Sequence, residues 1–126
     1  MIGLPGDFTP PSRFVRAVAF SKSARSTSTG EETVYELFRI LDNFNVPLGA
    51  AECEGEAKTN GMRSSTIWTS VWDTKNKVLY YHTQNNRRVR KVDFGKIDFD
   101  TVNERLRFPL DKLKSQDIED VTPISK

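Results

Sequence analysis

The 126-residue sequence predicts an α+β fold, two helices followed by an antiparallel sheet. Two observations carry that prediction. Apolar residues recur at helical spacing in the first third of the chain, and alternating β-forming runs separated by turn residues fill residues 65 to 94. A chain of this length is one domain, or part of one, and can bury roughly two-thirds of its unfolded surface.

The opening stretch "GLPGDFTPPSRFVRAVAF" (residues 3–20) sets a turn before the first helix. In Leu4-Pro5-Gly6-Asp7 the proline fixes φ and the glycine is free to take a positive φ. Pro10-Pro11 keeps the approach extended, and Ser12 is the expected N-cap of a helix through Phe20. Phe14, Val15, Ala17, Val18 and Phe20 make that helix apolar around much of its girth, so it calls for cover on more than one side. The small polar run from Ser21 to Gly30 reads as a loop.

Thr29-Gly30-Glu31-Glu32 matches a capping box, with threonine at N-cap and glutamate at N3. Behind it Val34, Leu37, Phe38, Leu41 and Phe44 repeat at helical spacing, and Pro47 and Gly49 stop the helix. Residues 50–62 are polar and aperiodic and read as a long loop. Residues 65–72 form a first strand, Asp73 to Lys77 a turn, Val78 to Thr83 a second strand and Arg88 to Phe94 a third. Alternation sends Trp68, Ser70 and Trp72 to one face and Ile67, Thr69 and Val71 to the other. Residues from about 111 to 126 are expected to form a loosely ordered tail.

Composition excludes some functions and leaves others open. Nineteen basic residues nearly balance seventeen acidic ones, for a net charge of +2, which does not favour nucleic acid as the main partner. No apolar run approaches a membrane span. One cysteine, Cys53, rules out an internal disulfide framework; flanked by Glu52 and Glu54, it is expected to be inert. The sole histidine, His82, falls in the second strand, a structural position, and no metal site is patterned around it. Arg87, Arg88, Arg90 and Lys91 lie near aromatic residues, but a solvated sheet edge or subunit contact is the preferred reading.

The segments "GLPGDFTPPSRFVRAVAF", "ETVYELFRILDNFNVPLG", "TIWTSVWDTKNKVLYYHTQNNRRVRKVDF" and "RFPL", in this order, resemble the choloylglycine hydrolase family. That family comprises the bile salt hydrolases and penicillin V acylases, which are N-terminal-nucleophile hydrolases. The resemblance runs from near Gly3 to about Leu110 and is to the C-terminal portion alone. It implies the C-terminal part of a four-layer αββα fold. It also implies hydrolysis of a linear amide C–N bond in N-acyl substrates: conjugated bile acids, penicillin V or acyl-homoserine lactones. No metal or cofactor is implied, and a homo-oligomer in the periplasm or cytoplasm of a bacterium is. The nucleophile would be an N-terminal cysteine not present in this chain, so the chain alone is expected to be inactive. The arginine of "SRFVR" carries over as Arg13, a member of the active-site cluster. Asp7 and Ser12, which flank it, could support it, though turn chemistry and capping are preferred for both. Two other classes stay open: a non-catalytic, self-associating interaction or regulatory module, and, at lower weight, a basic β-surface binding nucleic acid.

Overall fold

The computed structural model describes residues 3–50, 65–101, 104–105, 107–113 and 116–123. The expected loop at 50–62, with Cys53, lies almost wholly outside them. Two helices, α1 (Pro10–Ser23) and α2 (Gly30–Asp42), precede three strands, β1 (Trp68–Asp73), β2 (Val78–Thr83) and β3 (Arg90–Asp93). The strands form an antiparallel meander in the order β1-β2-β3, and a single 3-10 turn, Phe94–Lys96, follows the last. This is the α+β architecture expected of the sequence.

Three local expectations shift. The N-cap of α1 is Thr9, and both prolines occupy its first positions, where the missing N–H groups cost nothing. Ser12 is therefore inside the first turn and does not cap the helix. Gly3, with φ 87°, takes the left-handed conformation in the opening turn, and Gly6 does not. The second helix closes at Asp42, before Phe44, because Asn43 turns back: its side-chain amide donates to the Arg39 and Ile40 carbonyls, both at 3.1 Å.

Capping of α2 follows the pattern written in the sequence. Thr29 Oγ1 accepts from the Glu32 amide at 3.1 Å, and the Glu32 carboxylate reaches back to the Ser28 amide at 2.8 Å. Val34 and Phe38, one turn apart, then pack on Val71 of β1, with Leu41, Tyr80 and Val89 around them. The helix thus covers one face of the sheet. Register fixes the other face: Trp72 pairs with Leu79, Ser70 with Tyr81, and Tyr81 with Arg90. Both tryptophans remain more than half exposed there.

Residues past the sheet are tied to it. Asp111 accepts from Arg90, Nη1 at 3.2 Å and Nη2 at 2.6 Å, and from the hydroxyl of the fully buried Thr83 at 3.0 Å. Asn85 Nδ2 donates to the Leu110 carbonyl at 3.2 Å, and the Gln116 amide donates to Asn85 O at 2.7 Å. Among the described residues, no helix is long and apolar enough to cross a membrane.

Candidate active-site loop

The loop before α1 is held from both sides by residues of the helix it enters. Asp7 is the hub. Its carboxylate accepts from the Thr9 amide at 2.8 Å, from the Thr9 hydroxyl, and from the Ser12 hydroxyl at 2.7 Å. Three donors stabilise the charged form, so its pKa falls from 3.8 to about 2; the Thr9 hydroxyl is the largest cause, followed by the Ser12 hydroxyl. The backbone underneath is fixed by Arg16. Its Nη1 donates to the Pro5 carbonyl at 2.6 Å and the Asp7 carbonyl at 2.8 Å, and its guanidinium lies 5.5 Å from the Phe44 ring centre. Only 6% of Arg16 is exposed.

Ser12 and Arg16 are one helical turn apart, so both face the loop. Arg13, next to Ser12, projects elsewhere: it is exposed, and no hydrogen bond or ion pair of its side chain occurs among the described residues. The three residues picked out from the sequence thus divide into a hydrogen-bonded support, the exposed Asp7 with the buried Ser12, and an exposed guanidinium, Arg13. The support does not touch the guanidinium. It fixes the turn from which Arg13 projects. Arg16 is structural and buried. The signal for its role was its spacing of four from Ser12, beneath a loop whose carbonyls need donors.

Other candidates separate cleanly. His82 is buried against the Phe38 ring, 5.1 Å between centres; desolvation first, and the Arg87 cation second, push its pKa down. Of the four-residue basic cluster, Arg87 pairs with Asp42 and Arg90 with Asp111, which leaves the cluster partly neutralised.

Residues 1–106 match the family of linear amide C–N hydrolases, choloylglycine hydrolase family, and the chain belongs to that family. It is similar to a bile salt hydrolase/transferase of Lactiplantibacillus plantarum, 33% identical over 86% of this chain and 32% of the relative. Among solved structures it resembles a mutant of the conjugated bile acid hydrolase from Clostridium perfringens (28% identity, TM-score 0.66), covering 95% of this chain and 34% of that one. It also resembles penicillin V acylase from Agrobacterium tumefaciens (27% identity, TM-score 0.60), covering 77% of this chain and 29% of that one. The chain therefore spans about a third of the length of these relatives.

Proposed function

We propose that this chain supplies the C-terminal portion of the scaffold, and one charged site residue, of an enzyme that hydrolyses linear amide C–N bonds in N-acyl substrates. The observation that carries this reading is Arg13: an exposed guanidinium on a turn fixed by Asp7, Ser12 and Arg16, in a chain of this family. The substrate class follows the relatives, conjugated bile acids or penicillin V, with acyl-homoserine lactones as a further candidate.

In this reading the nucleophile is an N-terminal cysteine from outside these 126 residues. Its thiol sulfur attacks the amide carbonyl and passes its proton to the cysteine's own α-amine, which titrates near pH ~8. The C–N bond breaks as the amine leaves with that proton. Water then cleaves the thioester, releasing the acid and the thiol. Arg13 stays charged throughout and offers a rigid fork of donors. Placed beside the reacting carbonyl, it steadies the developing oxyanion or the thiolate, an effect worth about 10²–10³ in kcat for one donor.

The test is turnover of penicillin V and of glycine- and taurine-conjugated bile acids. The chain alone should be inactive. Combined with the remaining polypeptide of the Clostridium perfringens relative it should gain activity, and Arg13→Ala should lower kcat by about 10²–10³. Turnover by the chain alone, or an unaffected variant, would refute this assignment. A second reading, a non-catalytic homologue that self-associates into a homo-oligomer, draws on the exposed Trp68 and Trp72. It predicts a stable oligomer and no turnover in any combination.

A further inference from the structure

His82 lies where α2 meets the sheet. It is 3% exposed, stands opposite Thr69 of β1, and has its ring against Phe38 with 5.1 Å between centres. Its Nδ1 is buried and has no hydrogen-bond partner among the described residues. A neutral ring tolerates that position, since a nitrogen without a proton only forgoes a donor. A protonated ring does not, because both nitrogens then donate and a buried N–H goes unmet.

The charges around the ring are few and opposed. From α2 comes Asp42, its last residue, which is held by Arg87 of the turn between β2 and β3. From β3 comes Arg90, itself bonded to Asp111, while Lys91 stands opposite Tyr80, two residues along β2. Glu36 and Arg39 of α2 pair with each other, and β1 offers the uncharged Thr69. Burial first and the Arg87 cation second disfavour the charged ring, Arg90 adds to them, and the Asp42 carboxylate with the Thr83 carbonyl favours it. The same turn anchors the segment after the sheet: the Arg87 amide donates to Gln116 Oε1 at 2.8 Å, and the Gln116 amide to the Asn85 carbonyl at 2.7 Å.

We propose that His82 is an acid-operated release: on taking a proton it draws Asp42 away from Arg87, so that the end of α2 and the β2–β3 turn part from each other. A cation formed inside the interface needs a carboxylate. Asp42 is the one beside it, and its present pair with Arg87 is half-exposed, so water replaces the lost partner of Arg87 at little cost. Arg87, once freed, is repelled by the new charge and loosens the hold of its turn on Gln116. His82 is the chain's sole histidine, and histidine is the side chain whose ordinary titration falls between pH 5 and 8, so one group sets the working range. Burial holds the ring of the closed state below the ordinary 6.5, and the released ring therefore takes its proton first. The closed state is fully favoured above 6.5 and is lost as pH falls below it. The device does not depend on the role of Arg13 or on amide turnover.

The experiment follows this chain by NMR from pH 7.5 to pH 5, reading the His82 ring, the Arg87 guanidinium protons and the Arg87 and Gln116 amides. Below pH 6.5 the opening that lets these protons exchange, corrected for the intrinsic effect of pH, should rise by about tenfold per pH unit, the slope of one proton. His82→Phe keeps a ring against Phe38 but takes no proton, so its opening should not change over this range. Two further variants test the exchange of partners and leave the core untouched, so they decide the matter even where His82→Phe does not fold. Asp42→Asn removes the carboxylate that favours the charged ring, and the midpoint should move to lower pH. Arg87→Met removes a cation that opposes it and frees Asp42, and the midpoint should move to higher pH. An opening that stays constant in the wild-type chain, or that persists in a folded His82→Phe, would overturn the proposal. So would midpoints that stay put or shift the same way in the Asp42 and Arg87 variants. Loss of the Thr9 amide bond to Asp7 in the same range would mean that the whole chain unfolds, and would equally overturn a local release.

Discussion

Asp7 shows how much of the candidate site depends on one arrangement of donors around an exposed carboxylate. Its pKa of about 2 lies below the ordinary 3.8, so the folded state holds the ionised form. A depressed carboxylate contributes stability that is complete above its unfolded pKa and is lost as pH falls through its folded value. The loop should therefore stay locked at pH 4 and loosen between there and pH 2. Following the Thr9 amide by NMR, which reports directly on its bond to Asp7, should give a midpoint near 2; a midpoint near 4 would mean the hydroxyls do not bind the carboxylate in solution. Arg16 makes the complementary case from the backbone side. Arg16→Met preserves much of the stem's packing on Phe44 but strips two charge-assisted bonds from the Pro5 and Asp7 carbonyls. We expect a loss of about 2 kcal/mol in denaturant titrations, and a wild-type midpoint would show that the loop does not need the clamp. Sequence reading found Asp7, Ser12 and Arg13 by their place in one motif. It could not separate support from free cation, since that depends on which helical positions face the loop.

Element by element, legibility tracks how local the controlling interaction is. Helix α2 was readable from Thr29 to Leu41 because its cap and its apolar stripe are both encoded within four-residue spacings. Its end was misplaced because Asn43 closes the helix by a side-chain bond that competes with continuation. In α1 the apolar girth called for cover, yet Phe14 is 69% exposed among the described residues, a property that no local pattern decides. Two expectations follow for α2. Thr29→Ala removes the acceptor for the Glu32 amide and should cost about 1 kcal/mol. Phe38→Ala empties the contact between helix and sheet, with an expected cost of about 3–5 kcal/mol, measurable as a thermal shift several times that of the cap variant. The same cavity would rehydrate His82. Its pKa is depressed chiefly by desolvation, so its stabilising contribution is full above the ordinary 6.5 and declines as pH falls below it. In Phe38→Ala the His82 titration should move up toward 6.5, and an unmoved titration would show that Phe38 is not what dries the ring.

At the scale of the whole molecule the question is what keeps the segment after the sheet in place, since few contacts in the sequence announce it. Arg90 and Asp111 are twenty-one positions apart, and a meander edge was the natural reading of the basic strand. In the fold they form a forked pair, with Thr83 donating to the same carboxylate and Asn85 holding the adjoining Leu110 carbonyl. The Arg90 bonds depress the Asp111 pKa ahead of the Thr83 bond, so the latch, like Asp7, is an acid-sensitive element that weakens as pH falls. Asp111 also sits at φ 55°, a left-handed conformation that aspartate and asparagine tolerate better than other side chains. Asp111→Asn therefore keeps the backbone and removes the charge, so its effect isolates the ion pair. Tryptic cleavage at the exposed Arg107 and Lys112 should become faster in this variant, while the Val34–Phe38–Val71 core keeps the sheet and α2 resistant. Cleavage at the wild-type rate would mean that the Leu110 and Gln116 backbone bonds suffice. Accelerated cleavage at these two sites, with the core intact, would establish that the Arg90–Asp111 pair is what holds the segment after the sheet in place.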